Sequence, residues 1–154
     1  MKSKKDKIDF ENSIAPWLGK TVKIVDYFLQ EELIKNNLDL TKEQMIVLKK
    51  LHDKDGLNQN ELAFLTLRNK SSLTRLLVKM EKKNYIKRIQ CVCDKRINEV
   101  FLTNEGKAIF KKVRPTIKHI INTVEKNISI TEKEQLIKIL QKIQINLNAD
   151  SAHL

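Results

Sequence analysis

Apolar residues recur along most of this chain three and four positions apart, the spacing that keeps them on one face of an α-helix. Trp17, Leu18, Ile24, Val25, Phe28 and Leu29, with Thr21 among them, form the first stripe, on a helix predicted from about Pro16 to Ile34. In LDLTKEQ, Thr41 and Gln44 make a capping box for a helix ending near His52. DKDG is a turn, after which Asn58 and Glu61 repeat the capping pattern and open a short helix, NQNELAFL, interrupted by TLRN. In SSLTRLLVKMEKKN the stripe is Leu73, Leu76, Leu77 and Met80, which leaves Ser71, Thr74, Arg75, Val78, Lys79 and Lys82 on the opposite face. Asn84, which tolerates a left-handed backbone, ends that helix.

Between residues 85 and 102 the period shortens. YIKRIQCVC and INEVFL are rich in β-branched and aromatic residues and flank the polar DKR, so they read as a hairpin. Thr103 then caps a long helix with Ile109, Phe110, Val113, Ile117, Ile120, Ile121 and Val124 at near-heptad spacing and a kink expected at Pro115. TEKE at 131 to 134 opens a last helix carrying Leu136, Leu140, Ile143 and Leu147. The expected fold is mainly α with a small two-stranded β wing: a winged helix-turn-helix lobe, with apolar helices at both ends left over for pairing.

Composition narrows the class. A chain of 154 residues with 41% hydrophobic content can build one domain, and three Gly with two Pro agree with few tight turns. No apolar run approaches the roughly 18 residues of a membrane span, and the basic opening MKSKKDK is followed by IDFENS instead of an apolar segment. A cytoplasmic protein with no membrane partner is expected.

The net charge of +11 is weak evidence by itself, because 25 of the 30 basic residues are lysines, which solvate any helix surface. Their placement is sharper. Residues 68 to 88 hold eight basic side chains against one acid, Glu81, and four of the five arginines lie between 68 and 96. Arginine is the forked donor suited to phosphates and base edges, so this window points to nucleic acid.

Catalysis has little support. His52, His119 and His153 are scattered, and there is no Gly-rich phosphate loop, paired-carboxylate motif or nucleophile with a base at recognisable spacing. An enzyme is not expected, and neither is a cofactor. Cys91 and Cys93 supply only two of the roughly four ligands a zinc ion takes, so no metal site is expected. On one strand they would point to the same side, where a bond between them is difficult, and they are expected to be reduced thiols.

LTKEQMIVLKKL, NELAFLTL, SSLTRLLVKMEKKNYIKR, DKR and LTNEG resemble, in this order, the successive signatures of the MarR family of bacterial transcriptional regulators. The resemblance covers about residues 38 to 147. Its most specific part is D-x-R followed, seven residues after the Arg, by T-x-x-G, matched by Asp94, Arg96, Thr103 and Gly106.

The resemblance implies a single domain over 1–154, with a winged-helix lobe at 38–106 and dimerisation helices at 10–35 and 107–148. The implied protein is a sequence-specific regulator of double-stranded DNA, a ligand-responsive repressor acting as a homodimer on a pseudo-palindromic operator. Its effector would be a small phenolic or other anionic molecule. Asn69, Lys70, Ser71, Ser72, Thr74, Arg75 and Lys79 would lie in the major groove. Asp94, Lys95 and Arg96 would form the wing contact, with Arg96 in the minor groove and oriented by Asp94.

Two features depart from the family. Asn84 stands where a Gly is usual, and the cysteines lie in the wing, whereas oxidant-sensing members mostly use a cysteine near the first helix. The alternatives are a thiol- or metal-responsive regulator using Cys91 and Cys93, or a winged-helix protein–protein adaptor, which would have no need of arginines on the recognition helix and wing.

Overall fold

The structure is a computed structural model and describes residues 8–147; the basic opening segment, Asn148 at the end of the expected dimerisation segment, and His153 lie outside the described residues. The order of elements is α1 (Ile14–Lys35), α2 (Lys42–Asp53), β1 (Leu57–Asn58), α3 (Gln59–Leu65), α4 (Lys70–Lys82), β2 (Ile86–Gln90), β3 (Asn98–Leu102), α5 (Asn104–Val124) and α6 (Ile130–Asn146).

Side-chain caps set most of the helix starts. The Thr41 hydroxyl accepts from the Gln44 N–H while the Gln44 side chain accepts from the Thr41 N–H, each at 3.2 Å. Asn58 and Glu61 repeat this at 2.9 Å in both directions. The last helix starts one residue before TEKE, because Ser129 and not Thr131 is its cap, in a third capping box closed by Glu132. Leu147, expected inside that helix, lies just past its end. Asn84 has φ 57° and ends α4 as its side chain allows. The chain stays helical through Pro115, so α5 is one unbroken element.

Leu33, Val47, Leu48, Leu51, Leu62, Leu73, Leu77, Met80, Val100 and Val113 are fully buried and join α1 to α5 and the sheet around one core. Burying each such side chain contributes about 1.5 to 3 kcal/mol, which fixes which way α4 must face. Two close approaches lock the sheet to α5. The Thr103 hydroxyl accepts from the Gly106 N–H at 3.0 Å and donates to the Asn84 carbonyl. A Cβ on Gly106 would stand 2.0 Å from the Tyr85 carbonyl oxygen, so the T-x-x-G motif requires the missing side chain.

The sheet has three strands in the order β1-β3-β2, all antiparallel, and not the expected two. The additional strand is two residues long, with Leu57 opposite Val100 and Asn58 opposite Glu99. Two residues show no alternation, so only the long-range pairing reveals it.

At the ends of the chain the apolar stripes stay open. No residue of α6 is buried, and only Glu32 and Leu33 of α1 are. Trp17, Ile24, Tyr27, Leu136, Ile137 and Ile145 are among the large apolar side chains left exposed. Among the described residues no helix is long and apolar enough to cross a membrane.

Candidate nucleic-acid interface

With Leu73, Leu77 and Met80 fully buried, α4 has only one orientation on the lobe, and Arg75, Lys79 and Lys82 are exposed on its outer side. Several polar residues expected to meet DNA also build the start of this helix. Asn69 is the N-cap, and its Oδ1 accepts from the Ser72 N–H at 2.8 Å and the Ser71 hydroxyl at 2.9 Å. The Ser72 hydroxyl donates to the Asn69 carbonyl at 3.4 Å. Thr74 donates to the Lys70 carbonyl at 2.8 Å and accepts from the Gln59 amide at 3.4 Å.

The eight basic residues between 68 and 88 divide into two groups. Arg88 grips Glu81 with two hydrogen bonds of 2.8 and 2.9 Å, tying β2 to α4. That grip holds the Glu81 carboxyl below its ordinary range and the Arg88 guanidinium above its own. Lys83 donates to the Asp39 carboxylate at 2.8 Å, the Asp39 carbonyl at 3.1 Å and the Gln44 side chain at 3.0 Å. Arg68 stands 3.9 Å from Glu43. These three are struts of the lobe. Lys70, Arg75, Lys79, Lys82 and Lys87 pair with no carboxylate among the described residues, and all five are exposed.

The wing differs from expectation in two places. Asp94 does not orient the Arg96 guanidinium, because among the described residues the two side chains form no ion pair. Its Oδ1 instead accepts from the Arg96 backbone N–H at 2.9 Å, and its carbonyl accepts from the Ile97 N–H at 2.9 Å. Asp94 therefore shapes the turn that carries Arg96.

The second correction concerns the cysteines, which are joined by a disulfide. The strand expected to run through Cys93 ends at Gln90. Two residues apart on a strand, the Cα atoms would be about 6.6 Å apart, at the outer edge of the range for a disulfide; here the chain bends and they are 5.3 Å apart, well inside it.

Arg96, Lys70 and Thr74 come together around a polar cleft of about 290 Å³ that also takes in Asn58, Gln59 and Asn60. Asp94 and Lys95 stand outside it, at the tip. Arg75, Lys79 and Ser72 line a second concavity of about 700 Å³ that lies between α4 and the start of α2. Gln59 and Asn60 were not singled out from the sequence. Their only signal is position, directly after the Asn58 cap, and the Gln59 contact with Thr74 crosses 15 positions.

A third concavity, about 460 Å³, opens between α2 and α5. Met45, Ile46, Phe110, Ile117 and Ile121 make its apolar wall; Lys50, Arg114 and Lys118 supply cations around it, and Lys49, also at its edge, is paired with Asp53.

Helix, turn, helix and a small antiparallel sheet, with an outward basic helix, define a winged helix-turn-helix protein. The chain belongs to the MarR family: residues 40–97 match the model of that family. The HTH-type transcriptional regulator SarZ of Staphylococcus epidermidis is 33% identical over 137 residues, 85% of this chain and 89% of that protein. The uncharacterized HTH-type transcriptional regulator YybA of Bacillus subtilis is 24% identical over 139 residues, 90% and 91% of the two chains.

Among solved structures, a cysteine-to-serine mutant of MarR from E. coli complexed with operator DNA has a TM-score of 0.75 at 28% identity, covering 88% of this chain and 99% of that one. BpsR of Bordetella bronchiseptica, whose DNA binding is regulated by 6-hydroxynicotinic acid, has a TM-score of 0.82 at 17% identity, covering 90% and 97%. The protein is a DNA-binding transcriptional regulator of this family and not an enzyme.

Proposed function

We propose that the protein is a repressor that binds a pseudo-palindromic operator in the cytoplasm as a homodimer. In this reading the lobe at 38–106 reads DNA while 10–35 and 107–148 pair with a second copy. One observation carries it: the face of α4 opposite the buried leucines holds Ser71, Thr74, Arg75, Val78, Lys79 and Lys82, with no acid among them. A solvated helix surface commonly mixes both signs of charge, whereas this face offers hydroxyls, ammonium groups and a guanidinium for phosphates and base edges, and a methyl-bearing Val78 for a thymine.

In the proposed complex Lys70, Arg75 and Lys79 reach phosphates or bases of the major groove, and Arg96 enters the minor groove from the wing, where focused negative potential attracts a guanidinium. Asn69, Ser71 and Ser72 present the start of α4, and their backbone and hydroxyl groups lie nearest the duplex. Lys95 meets the flanking backbone, and Asp94 acts through the turn it shapes.

The α2–α5 cleft is the proposed effector site. An apolar wall with Lys50, Arg114 and Lys118, which pair with no carboxylate among the described residues, suits an aromatic carboxylate or phenolate, and its volume is that of ordinary small-molecule sites. By binding between α5 and the lobe, such a ligand would favour a dimer whose two lobes are spaced wrongly for the operator. That BpsR answers to 6-hydroxynicotinic acid supports this ligand class.

The test is to recover bound duplexes from genomic DNA with the full chain and measure their affinity by fluorescence anisotropy, with and without a panel of aromatic carboxylates. Nanomolar, sequence-selective binding that weakens steeply with salt and with one of the acids is the expected result. Binding that is flat in salt, or absent, would favour the adaptor reading.

A further inference from the structure

The loop that ends the wing carries chemistry that DNA binding does not use. The last rung between the two arms of the hairpin is the Cys91 N–H donating to the Ile97 carbonyl at 2.8 Å. Beyond it the chain turns back through residues 92 to 96, and the Cys91–Cys93 bond closes the first part of that return. The Cys93 N–H also donates to the Cys91 sulfur at 3.3 Å. The next residue, Asp94, begins the turn that carries Arg96. Cys93 is exposed, Cys91 is half-buried, and Val92 between them projects fully into solvent. Small oxidants and reductants can therefore reach the sulfurs. No buried core side chain lies within the ring they close, so opening it leaves the lobe folded.

We propose that Cys91 and Cys93 form a thiol redox site for hydroperoxides and low-molecular-weight disulfides, and that the bridge, when closed, pins the turn presenting Arg96. This coupling rests on the proposed contact of Arg96 with DNA.

With a hydroperoxide, the more exposed Cys93 thiolate attacks the O–O bond. An S–O bond forms, the alkoxide leaves and takes up a proton, and Cys93 becomes a sulfenic acid. The Cys91 thiolate then attacks that sulfur, forming the S–S bond and expelling hydroxide, which is protonated to water. Two thiols and one hydroperoxide thus give one disulfide, one alcohol and one water. A small disulfide reaches the same product by two exchanges, releasing two small thiols, and an external dithiol reverses it by becoming a disulfide itself.

The closed bridge fixes the point at which the chain enters the Asp94–Arg96 turn. With the bridge open, the turn keeps the hydrogen bonds of Asp94 and of Gln90 to the Lys95 carbonyl but loses the covalent tie at its entry, and the contact weakens by the added ordering required on binding, about threefold to tenfold in affinity.

The experiment uses the full chain, reduced with dithiothreitol and then exposed either to hydrogen peroxide or to glutathione disulfide. Alkylation and mass spectrometry count the thiols, and anisotropy measures affinity for a duplex selected by the reduced protein. The expected result is an intramolecular bridge that blocks both alkylations, is absent from Cys91→Ser and Cys93→Ser, and opens again with dithiothreitol. The bridged form should bind about threefold to tenfold tighter than the reduced form. The Cys91→Ser/Cys93→Ser double variant should match the reduced protein in every condition, and in an Arg96→Ala background the redox effect should vanish.

Thiols that stay alkylatable in both arms, or that bridge between chains, would overturn the site. A bridge that forms while both states bind equally, with Arg96→Ala still weakening binding, would overturn the coupling. Failure of either state to bind any duplex would overturn the DNA-binding reading itself, with the thiol count still deciding the redox site.

Discussion

The lobe between residues 38 and 106 and the helices that flank it are written in the same apolar periodicity, but they use it differently. In the lobe, Leu73, Leu77 and Met80 are sealed against α2, α3, the sheet and α5. On α6 no side chain is buried: Leu136, Ile137 and Ile139 are exposed and Leu140 and Ile143 half-buried, and Ile14, Trp17 and Ile24 are open on α1. A lone helix gains little from propensity alone and is held chiefly by packing. Unburied apolar surface of this extent exceeds the scattered apolar residues normal on a surface, and in the proposed dimer the second copy covers it. The lobe is complete within one chain, whereas the flanks become so only in the proposed dimer.

Substitutions in the two regions should therefore fail in different ways. The largest effect belongs to the lobe: Leu77→Ala should lower unfolding stability by about 2 to 5 kcal/mol, independent of protein concentration, as read by denaturant titration. Leu136→Glu should leave the lobe folded while weakening dimerisation by about a hundredfold, close to 3 kcal/mol, seen as a concentration-dependent mass in analytical ultracentrifugation. If Leu136→Glu remained dimeric down to nanomolar concentration, α6 would have to be assigned elsewhere.

Smaller effects test the joints of the lobe. Glu81→Gln removes the forked partner of Arg88 and should cost about 1 to 2 kcal/mol at neutral pH. Because the folded Glu81 carboxyl titrates below its ordinary range, its contribution is present above the unfolded value and is lost as pH falls through the folded one. The gap between Glu81→Gln and the native protein should accordingly close in acid. Asn84→Ala should cost about 1 kcal/mol, because alanine resists the left-handed backbone at φ 57°, whereas Asn84→Gly should be close to neutral. Equal effects of the two would remove the backbone explanation.

What the sequence showed plainly follows the range of the interaction. Thr41 with Gln44, Asn58 with Glu61, the stripe on α4 and the left-handed Asn84 all act within one or two turns of chain, so their spacing carries the information. β1 was not legible, because its two residues become a strand only by meeting Val100 and Glu99 some forty positions away. The wing tip misled for a related reason. β-Branched neighbours made Cys91 and Cys93 read as strand, whereas β2 ends at Gln90 and the turn that follows is held by contacts of Asp94 that residue type does not announce.

In the candidate interface, residue types were legible but commitments were not. Arg68, Lys83 and Arg88 looked the same as Lys79 until Glu43, Asp39 and Glu81 were found beside them. Asn69 was expected at the groove, and the structure shows that its side chain is the cap of α4.

If two copies of the α4 face grip one duplex, the salt dependence of operator affinity should differ between the native protein and Lys79→Ala. Each phosphate neutralised contributes about 0.9 to the slope of log affinity against log salt. A dimer that loses one phosphate contact per subunit should lose about 1.8 from that slope, and a single bound copy about 0.9. The larger loss is expected for the dimer, and an unchanged slope for Lys79→Ala would mean that the α4 face does not meet the phosphates.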